Sequence, residues 1–185
     1  MKTGTSLRIA AVAIMMTFAA SLASAQLNSG AQTIALNANL TESLTVSLSA
    51  NAVNFTLAAG SAVNPGSTNS TATTAWVLKP GRTAVGVYAY FASAAAALTD
   101  GAGNNIPSSA FFIADNGGAS TALTNTVAFG GANGGLQLAN VAITGVNKNA
   151  NRTDVMAFNI NLSTLGQLPA STYTGTLNIQ AQATP

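Results

Sequence analysis

The sequence predicts an all-β protein, a single antiparallel sandwich of about nine short strands. Three observations carry that prediction. Apolar residues recur at every second position along most of the chain. The longest such run is residues 32–49, where Ile34, Leu36, Ala38, Leu40, Leu44, Val46 and Leu48 share one face and mostly Thr, Asn and Ser fill the other. Turn dipeptides and glycine or asparagine clusters punctuate the chain at intervals of about 8 to 12 residues. No stretch after the leader sustains a helical period.

Taken in order, the chain opens with a leader. Lys2 and Arg8 give a basic start, residues 9–22 are apolar and small, and Ala23-Ser24-Ala25 matches a signal-peptidase site. Residues 1–25 therefore read as a cleaved signal peptide and 26–185 as one domain. The apolar run is shorter than the roughly 20 residues that cross a bilayer, so no membrane anchor is expected after cleavage. Glu42 interrupts the apolar row of residues 32–49, where a straight strand would carry its carboxylate inward. It marks a bend or hinge between two strands, 32–40 and 44–48, or a functional site.

Residues 53–57 read as a short strand and 59–70 as a loop around Pro65-Gly66. The next strand, 71–78, stops at Lys79-Pro80-Gly81-Arg82, whose Pro-Gly pair fits a type II turn leading by a hairpin into 83–91. In that strand Val85, Val87, Ala89 and Phe91 alternate with Gly86, Tyr88 and Tyr90. Both faces are partly apolar, which suits a central position. Residues 92–98 form a helical turn or a crossover, and 99–105 a loop. Strands are expected over 106–114, 122–129 and 136–145, with a glycine loop at 130–135 and a polar connection at 146–153. A strand over 154–163 directs Met156, Phe158, Ile160 and Leu162 inward. The last, 172–183, sets Tyr173, Gly175, Leu177, Ile179 and Ala181 on one face.

Charge is sparse. After the leader, four bases (Lys79, Arg82, Lys148, Arg152) balance four acids (Glu42, Asp100, Asp115, Asp154), and a neutral chain has no electrostatic footprint for nucleic acid or an anionic membrane. Near-zero net charge favours association with copies of the same chain. Cysteine is absent, so no disulfide framework is available. Histidine is absent too, which removes the commonest general base and metal ligand.

Asp100, Asn104 and Asn105 offer oxygens near glycines, but without the spacing of a calcium loop they read as a turn. The acids are spread among loops and strand starts, where nothing pairs them as a hydrolytic dyad. No serine has a histidine partner or an elbow motif. No catalytic, cofactor-binding or metal-binding residue is assigned, and a non-enzymatic role without cofactors is expected. Trp76, on an apolar strand just before a tight turn, reads as core. Tyr88 and Tyr90, two apart on one face, suit either cross-strand packing or a platform for a sugar ring.

Residues 168–183, LPASTYTGTLNIQAQA, end the chain in an alternating strand marked by Pro169, Tyr173, Thr176, Leu177 and Ile179. Residues 31–57 open it with a long alternating strand and a short one centred on Phe55. Both segments resemble the secreted domains of the spore coat protein U and archaic chaperone-usher pilin group, although many members of that group carry a cysteine pair. The resemblance implies an immunoglobulin-like sandwich, for which a jelly-roll-like one is the alternative. It also implies export through the periplasm to a fimbrium-like cell-surface structure, assembled by donor-strand exchange. The implied partners are other copies or related subunits, a periplasmic chaperone and an outer-membrane usher. On this reading the strand-exchange residues are Ile34, Leu36, Ala38 and Leu40, with Glu42 as hinge. Periodicity is the same whether residues 32–40 pair within their own domain or enter a neighbour. The alternative function is a secreted module that holds a glycan or a surface protein on the face bearing Tyr88 and Tyr90.

Overall fold

The computed structural model describes residues 29–185, apart from Asn125 and residues 131–133. The expected signal peptide lies outside the described residues. Residues up to Asn39 form one unit and Leu40–Pro185 another. In the first, residues 29–39 are irregular and exposed. The strand expected over 32–40 does not form, and no regular structure begins before Ser43.

The second unit is all-β. Its strands are β1 (Ser43–Leu48), β2 (Asn64–Pro65), β3 (Ser70–Val77), β4 (Ala84–Phe91), β5 (Leu98–Thr99), β6 (Asn105–Ile106), β7 (Phe111–Asp115), β8 (Thr121–Ala122), β9 (Leu136–Ala142), β10 (Asn149–Ile160) and β11 (Leu177–Thr184). A single 3-10 turn, Ser108–Ala110, precedes β7. All pairings are antiparallel. One sheet runs β1-β3-β10-β7-β8, with β2 also on β10; the other runs β11-β4-β9; β5 and β6 make a small separate ladder.

The two main sheets face each other because each carries the period-two pattern that a one-sided core demands. From the first sheet, Ala72, Phe111, Ile113, Met156, Phe158 and Ile160 point inward; from the second, Ala89 and Phe91 meet them in one cluster. Phe111 is the hub. Its ring lies 5.1 Å from Phe91, 5.7 Å from Phe55 and 5.9 Å from Phe158, the first two edge-to-face, the arrangement that ring quadrupoles favour. Trp76, Leu78 and Val85 form a second cluster, and the Trp76 indole N–H donates to Asn147 C=O at 2.8 Å, so the core reading of Trp76 holds.

Several expectations need correction. Among the described residues there are eleven strand segments rather than about nine, four of them only two residues long. β3 and β4 are not a hairpin. The Pro80-Gly81 turn is present, with Gly81 at φ +98°, but it carries the chain from one sheet to the other. Residues 53–57 make a single bridge, Phe55 to Gly66. Of the expected strand 122–129, only Ala122 among the described residues falls in a strand, the two-residue β8; the strand expected over 106–114 is broken by the 3-10 turn, and the last strand begins at Leu177. Conversely, β10 starts at Asn149, inside the stretch read as a polar connection. There Ala150 and Arg152 alternate with Asn149 and Asn151, and ladder bonds to β3 override the polar composition.

The loop before β3 is fixed by Asn64, which is fully buried. Its amide donates to Ile160 C=O at 2.8 Å and Ser61 C=O at 3.1 Å, and its Oδ1 accepts from Ala58 N–H at 2.8 Å. A buried amide with these bonds made costs little.

Candidate functional site

The first and last strands of the second unit end their sheets on the same side. β1 borders only β3, β11 borders only β4, and β1 and β11 lie beside each other. Among the described residues no strand pairs with either outer edge.

Ladder alternation shows what those edges offer. Ser49 N–H donates to Thr71 C=O at 2.9 Å, so Ser43, Thr45 and Ser47 turn their backbones to β3, while Leu44, Val46 and Leu48 turn theirs outward. On the other sheet Ile143 N–H donates to Thr83 C=O, so Ala84, Gly86, Tyr88 and Tyr90 face β11. Their partners Thr184, Gln182, Gln180 and Asn178 are the bonded positions, and Leu177, Ile179, Ala181 and Ala183 turn their N–H and C=O groups to the outer edge.

These same seven residues carry the inward side chains. Their neighbours one strand further in, Ala72, Trp76, Val85, Val87, Ala89 and Phe91, are buried. The edge residues are only half-buried, and Leu48 is 42% exposed. The result is two adjacent sheet edges, with half-buried apolar side chains beneath and backbone polar groups that no described strand pairs, an arrangement to which a strand from another chain can add.

Glu42 sits at the head of β1, at one end of these two edges. Its carboxylate accepts from Arg82 Nε at 2.8 Å and Arg82 Nη2 at 3.2 Å, with Lys79 Nζ at 3.9 Å. Arg82 also donates from Nη1 to Ala183 C=O at 3.2 Å, capping the last outward carbonyl of β11. The Arg82 hydrogen bond is the main cause that holds the Glu42 carboxyl below its ordinary range, and the same bond raises the Arg82 guanidinium. The charge read as a break in the pattern is therefore a tie between β1, the turn 79–82 and the end of β11. Sequence reasoning identified Glu42 but not Arg82. A basic residue after Pro-Gly looks like a solvated turn, and only the crossover geometry brings it to Glu42.

Of the expected exchange residues, Leu40 belongs to the second unit, and Ile34, Leu36 and Ala38 to the first. All four are exposed: Ile34 is 85%, Leu36 89% and Leu40 80% accessible, so none is spent on a core.

Tyr88 and Tyr90 lie on the outer face of β4, the side opposite the core. Tyr88 donates its place in a small network: its hydroxyl accepts from Gln137 Nε2 at 3.0 Å, and its ring meets Phe129 edge-on at 5.4 Å. The ring lies over Gly86, where an added Cβ would come within 2.5 Å of it. Tyr90 donates to Gln180 Oε1 at 3.4 Å.

Asp100 accepts from Ala102 N–H, Asn104 N–H and Asn104 Nδ2 at 2.8, 3.0 and 2.6 Å; the Asn104 amide is the chief cause that lowers its carboxyl. Its bonds are those of a turn closing the β5–β6 ladder.

Comparison with protein-family models, characterised proteins and solved structures returns no match.

Proposed function

We propose that this chain is an exported, non-enzymatic structural subunit of a surface fibre or coat, assembled by strand addition between copies. The observation that carries the reading is the pair of unpaired edges on β1 and β11 in a chain that also holds an exposed, alternating apolar segment, Ile34, Leu36, Ala38 and Leu40. Burying each Leu or Ile against such an edge contributes about 1.5–3 kcal/mol. The added backbone bonds satisfy the edges.

The strand order supports an immunoglobulin-like sandwich lacking its last strand. β1, β3, β10 and β7 follow the spatial order A-B-E-D, and β11 and β4 the order F-C, with the letters also in chain order. The outer edge of β11 is where strand G would add. β9, beside β4, is an addition to that scheme. Residues 1–25 fit the reading as a cleaved signal peptide, with a periplasmic chaperone covering these edges before an outer-membrane usher passes the subunit on.

Exchange between copies is favoured over pairing with the chain's own edge. Self-insertion beside β1 would make Thr41-Glu42 a two-residue hairpin loop, yet the tight hairpin turns need left-handed residues such as Asn or Gly, and Glu42 is already tied to Arg82. A head-to-tail contact of this kind does not close and propagates as a fibre. Electron microscopy and detergent resistance test it. The full chain should form fibres that survive detergent, and the chain lacking residues 26–40 should stay folded and monomeric. A full chain that stays monomeric, with a truncation that merely unfolds, contradicts the proposal.

A second reading rests on the outer face of β11-β4-β9. Register places Gln182, Gly86 and Asn140 in one row and Gln180, Tyr88 and Gln137 in the next, with Asn178 beside Tyr90. This face has no charge, and amides around a flat ring suit a neutral glycan. Glycan-array binding lost in Tyr88→Ala and Tyr90→Ala would support it. An array without hits would remove it.

A further inference from the structure

Among the described residues only two strands carry charged residues, and all three of those residues fall on the inner face of the first sheet: Asp115 on β7, Arg152 and Asp154 on β10. Asp154 has no exposed surface. Its Oδ1 accepts from Arg152 Nε at 2.7 Å, from Asn116 Nδ2 at 3.1 Å, and lies 2.6 Å from Arg152 Nη2. Asn116 Nδ2 also reaches Asp115 Oδ2 at 3.1 Å, so the two carboxylates are bridged by a single amide nitrogen. Asn116 is set for this by a left-handed φ of +49° and by Val155 N–H, which donates to its Oδ1 at 2.9 Å.

One oxygen of each carboxylate is thus used. The other two, Asp115 Oδ1 and Asp154 Oδ2, are buried with no hydrogen-bond partner among the described residues, as is the Thr74 hydroxyl across the ladder from Arg152. Two carboxylates beside one guanidinium leave one negative charge uncompensated, and an uncompensated interior charge is strongly destabilising. A single proton cancels that charge and turns one orphaned oxygen into the donor that the other lacks. A divalent cation would instead leave excess positive charge against Arg152.

We propose that Asp115 holds a proton on Oδ1 and donates it to Asp154 Oδ2, forming a buried acid pair that secures the β7 end of the first sheet in acid and releases it as pH rises. Among the described residues, Arg152 is the one other charged group that faces the pair. β3 contributes Ala72 and Thr74, β8 and its approach Ala119 and Thr121, and β9 Leu136, Gln137 and Leu138. Ala119, Thr121 and these three β9 residues line a cleft of about 230 Å³ that gives solvent a route to Asp115. Burial first, then the Asp154 charge, raise the Asp115 carboxyl above its ordinary 3.8, against the lowering by Arg152 and Asn116. A carboxyl raised in the folded state contributes stability that is complete below its unfolded value and is lost as pH climbs through the folded one.

The test is a carbonyl-carbon NMR titration of Asp115 in the wild-type full chain, with denaturant midpoints read over the same pH range for wild type and Asp115→Asn. The amide mimics the protonated acid. Asp115 should titrate well above an ordinary aspartate, and the wild-type midpoint should fall as pH rises through that value. The Asp115→Asn midpoint should stay level there. An Asp115 resonance that titrates in the ordinary aspartate range overturns the proposal even if the variant does not fold. So does a neutral-pH stability that calcium restores in wild type and not in the variant, since the pair would then hold a metal ion.

Discussion

At the residue scale, Phe111 and Glu42 do opposite kinds of work. Phe111 joins both sheets through three ring contacts, and Phe111→Ala removes them where the surrounding strands cannot collapse. A loss of about 3–5 kcal/mol is expected, read from the denaturant midpoint of the truncated or full chain. Glu42 is a surface tie, and its effect is expected in the pH profile. Its carboxyl, like that of Asp100, is held below its ordinary value, so the stability it contributes is present above about pH 4.5 and is lost as pH falls through the lowered value. Glu42→Gln should flatten that acid limb of the midpoint curve while leaving the alkaline side, governed by Asp115, unchanged. An acid limb as steep in the variant as in wild type would show that the Arg82 contact contributes nothing in solution.

At the element scale, alternation was a good guide wherever one face meets the core. Val85, Val87, Ala89 and Phe91 on β4, and Met156, Phe158, Ile160 and Leu162 along and just after β10, are buried as the period-two pattern requires. The pattern failed where pairing, not patterning, decides. Residues 32–40 alternate as cleanly as β4 but form no strand, because a strand needs a partner edge and periodicity does not say whose. The β3–β4 turn misled for a related reason: a Pro-Gly turn fixes a reversal, and not whether the second strand returns to the same sheet. Asp115 and Asp154 were read as separate acids at loops and strand starts, since sequence spacing cannot show that β7 and β10 are neighbours; Asp154 is buried and both bond Asn116. The open edges, by contrast, became visible only from sheet order. For the segment itself, Leu36→Asp should abolish assembly without moving the unfolding midpoint, because Leu36 contributes to no core of its own chain. Equal losses of assembly and stability would mean that the segment belongs to its own domain.

At the scale of the whole molecule, the second unit is a sandwich-like pair of sheets in which the end strands β1 and β11 lie side by side. Among the described residues no strand pairs with their outer edges, half-buried apolar side chains lie beneath, and Glu42, Arg82 and Ala183 tie the two at one end. Proteins guard such edges with charge, proline or bulges when they are meant to stay unpaired, and neither β1 nor β11 contains a charged residue or a proline. The complete lack of cysteine makes the chain its own clean background for cross-linking. The most direct measurement is therefore oxidation of the full chain carrying Leu36→Cys and Ala181→Cys, followed by non-reducing electrophoresis. Strand exchange between copies predicts a ladder of covalent dimers, trimers and longer species that collapses to monomer on reduction. A cross-linked monomer without a ladder would contradict it, because the segment would then pair with the edge of its own chain.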